Sequence, residues 1–131
     1  MADGMVRERL NIYYLLDSSG SMSGARIQQL NNCMEELKPL LEEGGIEHNV
    51  EIVVRAIEFG NEEKAKWHTG DKANSVPIDK FTWMNLQANG DCTPTSMALE
   101  MVADALHPEY LGKRTLRPVI ILLTDGGCTD G

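Results

Sequence analysis

Two short, almost continuously apolar runs, each leading into an aspartate, constrain this chain more than any other feature. Leu10 to Leu16 (LNIYYLL) is broken only by Asn11 and gives way to Asp17, while VIILLT from Val119 to Thr124 gives way to Asp125. A strand that is apolar on both sides has to be covered on both faces, which is the environment of a parallel sheet packed between helices. Both runs are far too short to cross a bilayer. In a parallel sheet the residues just past each strand emerge at one carboxyl edge, and ligands bind there where the strand order reverses.

The intervening segments supply the helices such a sheet needs. From Ala25 to Glu43 the apolar residues Ile27, Leu30, Met34, Leu37 and Leu41 recur at helical spacing, which predicts an amphipathic helix. Ser23 is its expected N-cap, Gly44-Gly45 its stop, and Pro39 should bend or break its last turn. Val50 to Phe59 (VEIVVRAIEF) reads as a second strand, followed through Gly60-Asn61 by a hairpin into a polar edge strand, Lys64 to Thr69. Lys72 to Gly90 has no clear period and reads as a surface connection with a short extended piece around Phe81 to Trp83. Thr93-Pro94 opens a second helix whose buried face is Ala98, Met101, Val102, Ala105 and Leu106, with Pro108 beyond its end. The order strand, helix, strand hairpin, helix, strand predicts an α/β fold, a doubly wound, mainly parallel sheet with one antiparallel edge strand.

With 131 residues there is room for one domain, and 42% hydrophobic against 24% charged residues is a globular composition. The net charge is −8 and no lysine or arginine cluster interrupts it, which excludes nucleic acid as an expected partner. Met1 to Arg9 has no apolar stretch of the length an export signal needs, and the three cysteines, Cys33, Cys92 and Cys128, have no CxxC spacing. The expected setting is a reducing cytoplasm, without a membrane.

Asp17, Ser19 and Ser21 alternate in an open loop, Thr93 precedes a helix, and Asp125 follows the last strand. The predicted sheet brings these distant positions to one crevice. Two carboxylates and three hydroxyls form a hard oxygen donor set that suits magnesium, with manganese or calcium next, rather than zinc or copper. Two helix N-termini aimed at the same crevice favour anions, so a carboxylate from a partner would be welcome there. Singly, each piece is an ordinary turn or helix cap; together and in order they point to a metal site.

These loops, Asp17-Ser18-Ser19-Gly20-Ser21, Thr93 and Leu122-Leu123-Thr124-Asp125-Gly126, resemble the metal-ion-dependent adhesion site of von Willebrand factor A domains. The resemblance implies that Ser19, Ser21 and Thr93 give hydroxyl ligands, and that Asp17 and Asp125 bind the ion directly or through water. An aspartate or glutamate of a partner protein would complete the shell, in a binding module rather than an enzyme. LNIYYLLDSSGSM, AKWHTG and TDGGCTDG further resemble the bacterial TerY-type branch associated with tellurium resistance, although that branch often reads Gly-Gly-Thr where this chain has Asp91-Cys92-Thr93. That likeness implies stress signalling beside a co-encoded protein kinase and protein phosphatase. The chain matches about the first two thirds of such a domain, so the domain is expected to be incomplete at its C-terminus. Val119 to Thr124 should then form an open edge, covered by a longer chain or by self-association.

The enzyme alternative is a haloacid-dehalogenase-like phosphotransferase with Asp17 as nucleophile, but such enzymes usually carry a second aspartate two residues on, where this chain has Ser19. An EF-hand beginning at Asp17 fails at Met22 and Gln28, and a nucleophile elbow in Gly20 to Gly24 would be centred on Met22. His48, His68 and His107 are scattered, and the pairs Glu35-Glu36, Glu42-Glu43 and Glu62-Glu63 suit solvated faces. Cys33 falls close to the helix stripe and is expected in the core. Cys92 and Cys128 each adjoin a metal loop, either as an oxidisable pair or as two small buried side chains.

Overall fold

A computed structural model describes residues 8–18, 22, 24–59, 65–83, 86, 95–111 and 115–123. In chain order the elements are β1 (Glu8–Asp17), α1 (Ala25–His48), β2 (Val50–Phe59), β3 (Lys66–Thr69), β4 (Val76–Pro77), a 3-10 turn (Ile78–Lys80), α2 (Thr95–Ala105), α3 (Pro108–Leu111) and β5 (Val119–Leu123). The sheet order is β3-β2-β1-β5, with β4 also on β2. β1 pairs in parallel with β2 on one side and β5 on the other, whereas β3 and β4 run antiparallel to β2. The α/β, mainly parallel architecture is therefore as expected. The short extended piece in the connection differs: it is Val76–Pro77, ahead of Phe81, because β2 still has a free edge there beyond the end of β3.

Strand alternation divides the core in two. Ile12, Tyr14 and Leu16 of β1 join Val54 and Ala56 of β2 under α1, where Ile27, Leu30 and Met34 meet them. Tyr13 and Leu15 turn the other way with Ile57 and Phe59, against Ala98, Val102 and Ala105 of α2. Ten consecutive paired residues lock β1 to β2, so the register cannot slip without exposing both faces. β5 is less well covered: Val119, Ile120 and Leu122 remain 40 to 44% exposed, and among the described residues β5 pairs with β1 alone.

The first helix runs farther than its glycines suggested. α1 continues through Gly44 and Gly45 to His48. Gly45 is buried where the helix end closes on β2, and a Cβ there would lie 2.9 Å from the Val50 carbonyl oxygen, so the glycine serves packing rather than termination. Termination passes to Asn49, which takes left-handed angles (φ 54°, ψ 48°) and donates its N–H to the Gly45 and Ile46 carbonyls. Pro39 lies within the helix and does not end it. At the start, the N-cap is Gly24 at φ 80° with no side-chain cap bond, and Ser23 lies outside the described residues.

One buried cation fastens the α2 side. Arg55 of β2 is 1% exposed and donates from Nε to the Asp71 carbonyl (2.8 Å), from Nη1 to Tyr13 Oη (3.0 Å) and Asn11 Oδ1 (3.3 Å), and from Nη2 to the Tyr110 carbonyl (2.9 Å). Tyr13 in turn donates its hydroxyl to the Ala105 carbonyl (3.0 Å), and Asn11 Nδ2 donates to Leu111 (3.2 Å). Sheet, helix ends and the turn after β3 are thus tied to one guanidinium. Burial raises the Tyr13 hydroxyl above its ordinary value, with Arg55 opposing, and burial lowers Arg55, with Tyr13 and Asp71 opposing.

Candidate functional site at the carboxyl edge

β1 lies between β2 and β5, so the carboxyl ends of three parallel strands meet around its last residue. The register sets Leu16 beside Glu58 on one side and Leu123 on the other, with Asp17 beside Phe59. The chain leaves β1 toward β2 and later returns to the opposite flank of β1 as β5. This reversal makes the end of β1 the topological switch point, where a crevice is expected.

The helix on the second face points the right way. Tyr13 bonds the end of α2 at Ala105 and Asn11 bonds the end of α3 at Leu111, so the chain descends toward the amino edge of the sheet. α2 therefore begins near the carboxyl edge, at Thr95, and directs its N-terminal end toward the same crevice. On the α1 side, Asn31 donates from Nδ2 to the Leu86 carbonyl (3.0 Å) and accepts the Leu86 N–H at Oδ1 (2.8 Å). This two-way bond pins the connection shortly before the segment that carries Thr93.

Of the five residues expected to bind metal, the structure places Asp17. It is fully buried at the end of the central strand, beside the equally buried Ser18. Ser19, Ser21, Thr93 and Asp125 lie outside the described residues, as do Cys92 and Cys128. Their neighbours in sequence do end at this edge: Ser18 at the end of β1, the start of α2 at Thr95, and Leu123 at the end of β5. A buried carboxylate at the mouth of three parallel strands, followed in sequence by hydroxyl residues, has the chemistry that suits a hard cation such as magnesium. Among the described residues there is no group of three or more histidine, cysteine, aspartate or glutamate side chains placed to hold a metal ion.

A carboxylate that the sequence reading passed over also sits here. Glu58 is buried and accepts the Ser18 hydroxyl at Oε2 (2.8 Å), while the Ser18 N–H donates to the Phe59 carbonyl (2.8 Å). A signal for it existed: period two along VEIVVRAIEF puts Glu58 on the same face as Val54 and Ala56, where a charged residue is out of place unless something at the edge meets it.

The remaining candidates settle elsewhere. Cys33 is a free thiol only half buried, so it is not the core residue expected; it lines a depression of about 390 Å³ between α1 and β5 with Met22, Arg26, Leu30, Leu122 and Leu123. It lies off the helix stripe, on the flank where β5 leaves α1 partly uncovered. His68 packs its ring 4.8 Å from that of Trp83, and His107 lies exposed 3.6 Å from Glu109. His48 is exposed at the end of α1.

Comparison with known proteins agrees with this architecture. The von Willebrand factor type A domain profile matches residues 11–131. The collagen alpha-6(VI) chain of Mus musculus is 29% identical over 126 residues, covering 93% of this chain and 5% of that protein, so the chain spans only a small part of that relative's length. Neither match supports a phosphotransferase. No described helix is long and apolar enough to cross a membrane. The chain belongs to the von Willebrand factor type A domain family, whose members commonly mediate protein–protein interaction through a bound metal ion.

Proposed function

We propose that this domain is a metal-dependent protein-recognition module. One divalent cation, magnesium in the first place, would be held by Asp17, Ser19, Ser21, Thr93 and Asp125, and the partner would offer an aspartate or glutamate to it. The observation that carries this reading is the burial of Asp17 at the carboxyl end of β1, between two parallel neighbours. The cation, when bound, supplies a Lewis-acidic centre for the partner's carboxylate. The chain's own residues would give it a hard oxygen shell, and the start of α2 near this edge favours an anion beside it. No residue is assigned a catalytic role.

The likeness of LNIYYLLDSSGSM and TDGGCTDG to TerY-type sequences favours a cytoplasmic stress-signalling setting, with a co-encoded protein kinase or phosphatase as the partner. Calorimetric titration with magnesium and manganese tests the site itself. Wild-type protein should bind one ion, and Asp17→Ala should abolish binding; an unchanged affinity in Asp17→Ala would overturn the assignment. Pull-down with and without a chelator then tests whether the partner depends on the ion.

A further inference from the structure

We propose that Glu58 is a positioning residue for the metal-binding loop, acting through Ser18; this rests on the metal-site reading above. Ser18 separates Asp17 from Ser19 and has no exposed surface. Its N–H is bound to the Phe59 carbonyl, and its hydroxyl reaches Glu58 Oε2 at 2.8 Å and the Phe59 carbonyl at 3.3 Å. Backbone and side chain of this one residue are thus both fixed to the end of β2.

Four residues later the chain is anchored again, by Met22, which is 4% exposed and belongs to the core under α1. Ser19 directly follows Ser18 in sequence, and Ser21 directly precedes Met22. Fixing Ser18 to β2 thus sets the direction in which the chain leaves β1, ahead of both hydroxyl residues in sequence. Outer-shell hydrogen bonds of this kind orient metal ligands, and removing one typically weakens metal binding about 10- to 100-fold. Glu58 cannot be replaced in this role by a residue of its own strand face, because Val54 and Ala56 are apolar.

Manganese affinity by calorimetry, read on Ser18→Ala, Glu58→Gln, Glu58→Ala and the double variant Ser18→Ala/Glu58→Ala, tests the proposal. Ser18→Ala and Glu58→Ala should each weaken binding about tenfold, and the double variant should be no weaker than the weaker of the two single variants, because both act on the same hydrogen bond. Glu58→Gln should bind nearly as well as wild type, since its amide oxygen accepts the same hydroxyl. In metal-free protein, the Ser18 amide should exchange with solvent faster in Glu58→Ala than in wild type. If Glu58→Ala fails to fold, Ser18→Ala, which removes a single oxygen, carries the decision.

Two results would overturn the positioning role while leaving the metal site standing: wild-type affinity in both single variants, or a loss in Glu58→Gln as large as in Glu58→Ala, which would make Glu58 act by charge. If wild-type protein itself binds no manganese, the metal-site reading fails and takes this inference with it.

Discussion

Arg55 and Glu58 are both buried charged side chains on β2, three positions apart, and they lie on opposite faces of the sheet. Arg55 faces α2 and α3 in the body of the sheet, surrounded by neutral acceptors: two backbone carbonyls, an amide oxygen and a phenol. Glu58 faces α1 at the carboxyl edge, beside Leu16 of the neighbouring strand, and holds the hydroxyl of Ser18, the residue that follows β1. A buried cation whose donors meet acceptors fixed on several elements is architecture. A carboxylate at the strand ends that holds the residue leading into the next loop is placed to act on that loop instead. The largest expected effect follows from this contrast. Arg55→Met should lower the unfolding free energy by about 3 kcal/mol or more in urea titration, because it strips donors from several buried acceptors at once. Glu58→Ala should destabilise less and act mainly on metal affinity. An Arg55→Met variant within about 0.5 kcal/mol of wild type would break the contrast, because such a small change is what surface positions show.

How much of this was legible in the sequence follows the same division. The strands declared themselves through apolar runs, and β2 begins and ends where the pattern VEIVVRAIEF does. Asp17 was legible because a polar residue directly after a buried run has to lie at an edge. The end of α1 was not, because Gly44-Gly45 reads locally as a terminator while Gly45 is needed for a close approach to β2 that only tertiary packing reveals. α3 was hidden behind Pro108, which ends a helical pattern equally well when it opens a new helix. Arg55 and Glu58 were passed over for a common reason: a charged residue within a strand pattern is usually assigned to solvent, although period two already puts Glu58 on the face of Val54 and Ala56.

A smaller effect sharpens the account of the Arg55 side. Tyr13 Oη both accepts from Arg55 and donates to Ala105, so Tyr13→Phe leaves one guanidinium N–H and one carbonyl short of a partner, at about 1–2 kcal/mol. The loss should depend on pH. Burial raises the Tyr13 hydroxyl above its ordinary 10.0, so its contribution is complete below pH 10 and fades as the pH rises toward the folded value, where the unfolded chain ionises first. Burial pushes Tyr14 up to about 12, and Tyr14 is common to both proteins. The difference in urea midpoint between wild type and Tyr13→Phe should therefore be constant from pH 7 to 9 and narrow above 10. A difference that does not change across that range would mean that Tyr13 is held by packing alone.

The smallest effect lies at the outer end of the same network. Arg55 Nε binds the backbone carbonyl of Asp71, and the Asp71 carboxylate organises the turn that presents it, accepting the N–H groups of Ala73 and Asn74 (both 2.9 Å) and the Asn74 amide (3.1 Å). The Asn74 side chain first, then the Ala73 N–H, hold the Asp71 carboxyl below its ordinary 3.8. A depressed value means that the turn contributes stability above pH 3.8 and loses it as the pH falls toward the folded value. Since the carboxylate is fully exposed, water competes for each bond, and Asp71→Ala should shift the urea midpoint only slightly at pH 7 and not at all once wild-type Asp71 is protonated. The shift should also shrink in an Arg55→Met background, because the turn then has no guanidinium to meet. If Asp71→Ala instead has the same effect with and without Arg55, the turn folds on its own account, and the reach of the buried cation ends at the sheet and α3.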